Sequence, residues 1–113
     1  MKLDDKYAGI LYNKVMSEVI TYYIYIMSNR SRMLYVGLTR NIDEKVYQHK
    51  TGSVEGLSGR DRIATLVHVE SYSDIDSATA RHRQLIGWHR EKKVQLIEKK
   101  NPDWLDLSGG WYN

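Results

Sequence analysis

The sequence predicts a small α/β domain in which helices cover a three-stranded sheet. Segments with the β-branched and aromatic make-up of strands lie at about 21–28, 33–39 and 63–72. Segments with the helical spacing of apolar residues lie at 41–50 and 75–99. Strands and helices that alternate in a short chain pack as layers around one core. The 113 residues are enough for one such core and too few for two.

The first two strands are predicted to form a hairpin, because a short polar stretch, SNRSR, lies between the segments YYIYI and LYVG. Side chains alternate along a strand, so Tyr23 and Tyr25 share one face, as do Tyr35 and Gly37. The hairpin would therefore present phenols around a glycine notch. Phenols can move protons and hydrogen-bond an anion, and a glycine lets a bulky ligand approach the backbone.

The first helix is predicted to begin after Asn41 and to end before the glycine- and serine-rich stretch at 51–59, which we expect to be a flexible loop. Asn41 is a good N-cap residue, and Glu44 three residues later would complete a capping box. Lys45 and His49 lie one turn apart on this helix, so their side chains are expected to be neighbours.

The helical pattern from Ile75 to Lys99 is long enough for two helices, and Gly87 is the expected break between them. A looser helical pattern covers residues 1–20 and carries no recognisable chemistry. We therefore expect an N-terminal extension at 1–20 and a single domain at 21–113.

Composition excludes several classes of protein. The chain has no cysteine, which excludes thiol catalysis, disulfides and cysteine-based metal sites. No run approaches the roughly 18 apolar residues of a membrane span, and the acidic, interrupted N-terminus does not resemble a signal peptide. We expect a cytoplasmic protein without a membrane partner, either a monomer or a small homo-oligomer.

Basic residues are concentrated near the end of the chain, although the net charge is only +3. Residues 81–100 hold seven lysines and arginines against two glutamates, a local net charge of +5, whereas residues 1–80 are balanced. A second basic group, Arg60 and Arg62, follows the predicted loop. Such segments suit the phosphates of nucleic acid, and a helix face that only meets water is the alternative.

Several short motifs follow one another along residues 21–111. In order they are Tyr23-Ile24-Tyr25, Tyr35-Val36-Gly37, the helix that carries His49, Gln84-Leu85-Ile86-Gly87-Trp88, Arg90-Glu91-Lys92-Lys93 and Asn101-Pro102-Asp103-Trp104. In this order and spacing they resemble the GIY-YIG nuclease superfamily, in particular its small stand-alone bacterial proteins, which are related to the N-terminal nuclease domain of a bacterial excinuclease. The resemblance implies a small three-stranded antiparallel sheet flanked by helices.

The resemblance also implies hydrolysis of a DNA phosphodiester with one divalent metal, Mg²⁺ or Mn²⁺, and a role in DNA repair. A tyrosine, here Tyr25 or Tyr35, would act as the general base or assist it. In the family an arginine on the first helix clamps the phosphate and a glutamate on the next helix holds the metal. A histidine and an asparagine, here His49 and Asn101, would support the site. Hydrolysis needs an activated nucleophile, charge neutralisation and a metal site made of oxygen ligands.

The sequence departs from the family pattern at two of these positions. Lys45 stands where the arginine is expected, and His82 stands where the glutamate is expected. A lysine keeps the positive charge but cannot form the bidentate contact of a guanidinium. Mg²⁺ rarely accepts imidazole, whereas Zn²⁺, Mn²⁺ or Ni²⁺ suits it better, so His82 is at most a ligand of a different metal and otherwise fills the space of the glutamate.

Three hypotheses remain open from the sequence. The domain could be a DNA endonuclease with weak or lost activity, a non-catalytic module that binds nucleic acid or protein, or a nuclease that uses another metal or another carboxylate. Asp76, Glu70 and Glu91 are the carboxylates that could replace the missing one. Trp88 and Trp104 are expected to pack in the core rather than to stack on bases. The predicted DNA-contacting residues are Gly37, Arg40, Arg60, Arg62, Arg81, Arg83, Lys92 and Lys93.

Overall fold

The structure is a computed structural model that describes residues 19–52 and 59–112, apart from the side chain of Arg60. Most of the predicted N-terminal extension and most of the predicted loop at 51–59 lie outside these described residues. The proposed boundary between an extension and a domain at residue 21 stays a prediction.

Three strands form one antiparallel sheet, as predicted. They are β1 (Tyr22–Ser28), β2 (Leu34–Thr39) and β3 (Thr65–Tyr72), in the spatial order β2-β1-β3. The hairpin register pairs Tyr25 with Gly37 and Met27 with Tyr35. Directly paired residues share a face of a sheet, so the two motif tyrosines and Gly37 lie on the same face.

Helices follow the second and third strands. They are α1 (Ile42–Thr51), α2 (Ile75–Gly87) and α3 (Arg90–Lys100), and a single 3-10 turn lies at Gly59–Asp61. The predicted break at Gly87 is confirmed, because Trp88 directly after it has an extended backbone. Among the described helices, none is long and apolar enough to cross a membrane.

The hydrogen bonds at the start of α1 differ from the predicted capping box. Asn41 occupies the N-cap position, but within the described structure its side chain makes no capping hydrogen bond. Its backbone N–H instead donates to the Thr39 hydroxyl at 3.0 Å, and its carbonyl accepts from Lys45 N. The predicted capping box is therefore wrong. The connection from β2 to α1 is held by the bond between the Asn41 backbone and the Thr39 hydroxyl, and not by the Asn41 side chain.

The sheet is covered on both faces. On the α1 face, Tyr25 and Met27 pack with Val46 of the helix. On the other face, Ile24 packs with Ala78 and Leu85 of α2, and Ile26 packs with Val67, Ile97 and Trp104. The central strand β1 thus supplies fully buried residues to both layers, which explains its almost continuous apolar sequence.

A β-bulge in β3 controls which side chains reach each face. Ile26 pairs with His68 while Met27 pairs with Leu66, so Val67 is one extra residue opposite β1. Leu66 joins the α1 face, whereas His68 and Glu70 point to the α2 face because they pair with Ile26 and Ile24.

The segment after α3 folds back across the edge of β3 and onto α1. Leu107 N donates to Leu66 O at 2.8 Å, and the Asp106 carboxylate accepts from Leu66 N at 3.3 Å and from Lys50 Nζ at 2.5 Å. Near the end of the chain, the Tyr112 hydroxyl donates to Asp43 O at 2.6 Å. These contacts attach the C-terminal segment to the helix that carries His49.

Candidate functional site

The aromatic side chains predicted for the site form one cluster on the α1 face. The ring centroids of Tyr35 and His49 are 4.7 Å apart, and the Tyr25 ring lies 6.1 Å from each of them. The hairpin supplies both tyrosines and α1 supplies the histidine. We call Tyr25, Tyr35 and His49 the tyrosine cluster. The fold thus brings together sequence motifs that are separated by many residues, and their role in a site stays a prediction.

The two tyrosines differ in exposure. Tyr25 is 2% exposed, and burial, together with the neighbouring Tyr35 phenol, raises the pKa of Tyr25 far above its usual range. Tyr35 is 39% exposed, so its ring is open to solvent at the edge of the cluster. Tyr25 therefore stays protonated near neutral pH and can donate a hydrogen bond, whereas Tyr35 is the phenol that a solute meets first.

Gly37 is required by the packing of Tyr25. A Cβ built on Gly37 would lie 2.5 Å from the Tyr25 hydroxyl and would overlap the end of the ring. The glycine notch predicted from the sequence is thus filled by the tyrosine paired with it. The Tyr25 ring therefore separates the Gly37 backbone from a ligand on this face.

His49 is buried at 5% exposure and is neutral near pH 7. Burial lowers the pKa of His49, the positive charge of Lys45 lowers it further, and a hydrogen bond to the Ile63 backbone offsets part of the effect. Lys45 itself is exposed on the flank of α1 beside His49. The cluster therefore provides a neutral imidazole, and the exposed Lys45 beside the cluster provides a cation that a phosphate can reach.

His82 and Asn101 lie on elements that cover the other face of the sheet. His82 is half-buried on α2, one turn from both Ala78 and Leu85. Asn101 is buried after α3, where its side chain donates to Val67 O and Leu105 O and accepts from Leu105 N. These bonds give Asn101 a structural role. The assignment of His82 and Asn101 to the site stays a prediction.

Glu70 is not a free carboxylate. Arg81 donates to its two oxygens from Nε at 2.8 Å and from Nη2 at 2.9 Å, and His68 and Tyr72 each lie at 2.8 Å. Burial alone would raise the pKa of Glu70, but hydrogen bonds from Arg81, His68 and Tyr72 outweigh it and lower the pKa to about 2. Glu70 is therefore occupied as the acceptor of an ion pair between β3 and α2. The sequence contains both partners, but only the bulge at Val67 brings them together.

The predicted DNA-contacting residues differ in their exposure and in whether their side chains are already bonded to other groups of the protein. The guanidinium of Arg62 donates to Lys50 O at 2.7 Å at the end of α1, and that of Arg81 is bound to Glu70. Exposed residues among the predicted set are Arg40, Arg83 and Lys92, while Lys93 is half-buried. The side chain of Arg60 lies outside the described structure. Their contacts with DNA stay predictions.

The described residues do not gather a set of carboxylates and imidazoles suited to Mg²⁺. Over residues 19–52 and 59–112, no group of three or more His, Asp or Glu side chains is placed to hold a metal ion. Of the carboxylates considered from the sequence, Glu70 is paired, and Asp76 and Glu91 are exposed in the first turns of α2 and α3. Since Mg²⁺ requires hard oxygen ligands, this donor set does not fit it.

Comparisons with known proteins agree with the fold and the motifs. A family model described as the GIY-YIG catalytic domain matches residues 21–95. A UPF0213 protein of Syntrophus aciditrophicus is 32% identical over 82 residues, which cover 72% of this chain and 93% of that protein. A UPF0213 protein of Haloquadratum walsbyi is 30% identical over 78 residues, 69% of this chain and 88% of that protein. The NMR structure of a UPF0213 protein from Bacillus halodurans superposes with a TM-score of 0.52 at 22% identity, covering 80% of this chain and 98% of that one. That structure supports the same fold.

Proposed function

The chain belongs to the GIY-YIG family, and we propose that it binds DNA at the tyrosine cluster and hydrolyses phosphodiester bonds there at a strongly reduced rate. The family supports a nuclease-like function, and nucleases of this family are generally metal-dependent. The observation that carries the proposal is the assembly of Tyr25, Tyr35 and His49 beside the exposed Lys45.

The cluster supplies two parts of the hydrolytic reaction. Tyr35 is the exposed phenol, so it can hold the attacking water, and the neutral His49 beside it offers a nitrogen that can accept the proton of that water. The water oxygen then bonds to phosphorus as the bond to the leaving oxygen breaks, and the leaving oxygen takes up a proton from solvent. The protonated Tyr25 contributes a hydrogen-bond donor, and Lys45 contributes positive charge near the phosphate.

The reduced rate follows from the two substituted positions. Lys45 cannot form the bidentate contact that an arginine makes with a phosphate. The family pattern has its metal-binding carboxylate at the position of His82, and the assignment of that position to the site is part of this proposal. We assign no catalytic step to a metal. If each missing contact contributes about 3 kcal/mol of transition-state stabilisation, and the two add at least partly, the rate falls by roughly 10³ to 10⁴.

The test restores both groups. We expect the double variant Lys45→Arg, His82→Glu to cleave labelled plasmid and branched DNA in Mg²⁺ or Mn²⁺ about 10³-fold faster or more than the unmodified protein, because the guanidinium fork and the carboxylate are regained. The measurement is the initial cleavage rate under single-turnover conditions, with each metal at the same ionic strength.

A third variant controls for contaminating nuclease. Adding Tyr35→Phe to the double variant should remove the gained cleavage while the protein still folds, since only the phenol oxygen is lost. Cleavage that persists in this triple variant does not come from the tyrosine cluster. If neither the unmodified protein nor the double variant binds or cuts DNA, the proposal is wrong.

A second candidate function is a non-catalytic module that binds nucleic acid through the same face. The observation that favours it is the absence, among the described residues, of a carboxylate group suited to Mg²⁺. This function predicts DNA binding without cleavage in Mg²⁺, Mn²⁺ or Zn²⁺. It also predicts that Lys45→Ala weakens binding and that the weakening is smaller at high salt.

A further inference from the structure

A separate pocket lies at the corner between α2 and α3, away from the α1 face. Its volume is about 390 Å³, and its lining residues are Gly87, Trp88, His89, Glu91, Lys92 and Gln95. Pockets that bind small molecules usually begin at about 300 Å³ and combine an apolar wall with a few polar groups. This pocket has one aromatic wall, one ammonium group and side chains that can both donate and accept hydrogen bonds.

The aromatic wall is held in place before any ligand arrives. Trp88 is half-buried and packs beside the core cluster that contains Ile24 and Leu85. The Arg81 guanidinium lies 5.1 Å from the centre of its ring, and that guanidinium is fixed by its two bonds to Glu70. Because its neighbours are themselves held, the indole has little freedom to lose when a ligand binds.

The cationic partner lies over the same ring. Lys92 Nζ is 4.6 Å from the centre of the Trp88 ring, and the Lys92 side chain is exposed. An ammonium group over an indole is attracted to the ring. When a base takes its place on the ring, the exposed Lys92 side chain can turn aside and pair with the phosphate of that nucleotide. The polar edge of a planar ligand can then hydrogen-bond with the remaining polar residues of the pocket, His89, Glu91 and Gln95.

We propose that this pocket binds one unpaired nucleotide of a DNA strand, with its base against Trp88 and its phosphate near Lys92. The phosphate would add to a segment that already has an excess of basic residues, so the charge is complementary. A base inside a duplex is stacked on both sides and cannot enter a pocket, whereas a base in a single-stranded tail, gap or branch can. The inference rests on the DNA-binding part of the proposed function and adds a preferred substrate, DNA with single-stranded character.

The affinity test uses two lysines on the same helix. Lys92 lines the pocket, whereas Lys99 is exposed in the last turn of α3 and does not. We expect Lys92→Gln to weaken binding of a labelled single-stranded oligothymidylate at least about threefold more than Lys99→Gln, although both variants remove one positive charge. The two variants should bind a blunt duplex of equal length with affinities within about twofold of each other. Equal losses for the two variants on the single strand would overturn the proposal.

The contribution of the ring is tested by Trp88→Leu. Base stacking on an aromatic side chain typically accounts for a fivefold or larger change in affinity, so Trp88→Leu should weaken single-strand binding at least about fivefold. If this variant does not fold, the proposal is tested by NMR on the unmodified protein, through the indole N–H signal of Trp88. A shift of that signal on addition of oligothymidylate supports the pocket, and an unchanged signal at saturation contradicts it.

The outcomes separate this inference from the proposed function. Duplex binding that is intact while Trp88 does not respond contradicts the pocket alone. A Trp88 response without cleavage by the Lys45→Arg, His82→Glu variant contradicts the hydrolytic assignment alone.

Discussion

At the residue scale, the Tyr25 and Gly37 pair shows how packing and chemistry are combined. The Tyr25 ring is fully buried against the glycine paired with it, and its hydroxyl belongs to the tyrosine cluster. Moving the ring would therefore cost stability and would also displace a hydrogen-bond donor. Nothing in the local sequence indicates this, because Gly37 could equally have served a turn or an open notch.

Gly37→Ala is expected to lower the free energy of unfolding by about 1 to 3 kcal/mol, because the added Cβ overlaps the Tyr25 ring in a packed core. Urea unfolding followed by circular dichroism measures the change. Gly87→Ala is the matched control, since a Cβ there has nothing within 4 Å and Gly87 ends a helix. The control should be neutral or slightly stabilising. A neutral Gly37→Ala would mean that the ring relaxes without cost.

At the element scale, the ion pair between Glu70 and Arg81 fixes α2 on the sheet. Glu70 accepts from Arg81, His68 and Tyr72, so one carboxylate joins β3 to the helix that carries His82. The Arg81 guanidinium then reaches the Trp88 ring at the end of α2. The orientation of the helix is thus set by a charged contact as well as by Ala78 and Leu85.

The ion pair makes stability depend on pH in acid. The pKa of Glu70 is lowered to about 2 by folding, so the unfolded chain binds this proton more readily than the folded one. The stabilisation is complete above the unfolded pKa of 4.5 and is lost as pH falls from there toward 2. At about 1.4 kcal/mol per pKa unit it amounts to about 3 kcal/mol.

Glu70→Gln is therefore expected to flatten the fall in stability between pH 4.5 and pH 2 and to lower stability at pH 7. Unfolding free energies measured across this range test it. Glu91→Gln, an exposed carboxylate on α3, is the control and should keep the original pH profile. An unchanged profile in Glu70→Gln would show that other carboxylates govern acid unfolding.

The elements themselves could be predicted from the sequence, and the direction of some side chains could not. Alternation in β1 and β2 placed Tyr25, Tyr35 and Gly37 on one face, and the break at Gly87 was visible as a glycine in a helical pattern. The bulge at Val67 has no such signal, because an extra residue in a strand changes pairing without changing composition. For that reason Glu70 was a candidate metal carboxylate in the sequence and is an ion-pair partner in the structure.

At the scale of the whole molecule, the segment after α3 holds the two layers together. Asn101 bonds to the backbone of Val67 in the sheet and of Leu105 in the segment itself, and Asp106 joins Leu66 to Lys50 of α1. The segment therefore links the face of the sheet that α2 and α3 cover to α1, the helix that carries His49 of the tyrosine cluster.

Asn101→Ala is expected to lower the free energy of unfolding by about 1 to 3 kcal/mol, because it leaves the buried carbonyl of Val67 without this partner and removes two bonds to the backbone of Leu105. Thermal and urea unfolding measure it. Asn41→Ala is the matched control and should change stability by less than about 0.5 kcal/mol, since the Asn41 side chain is exposed and makes no capping bond in the described structure. A similar loss in both variants would contradict the structural task assigned to Asn101.

The Val67 bulge also has a consequence for how such a chain could change over evolutionary time. If β3 paired with β1 without the extra residue, His68 would lie opposite Tyr25, and Glu70 would lie opposite Tyr23. An imidazole and a carboxylate would then stand on the tyrosine side of the sheet without any substitution. For this fold, a one-residue shift in strand register that removes the bulge at constant chain length is therefore a route between a structural ion pair and a new set of metal ligands.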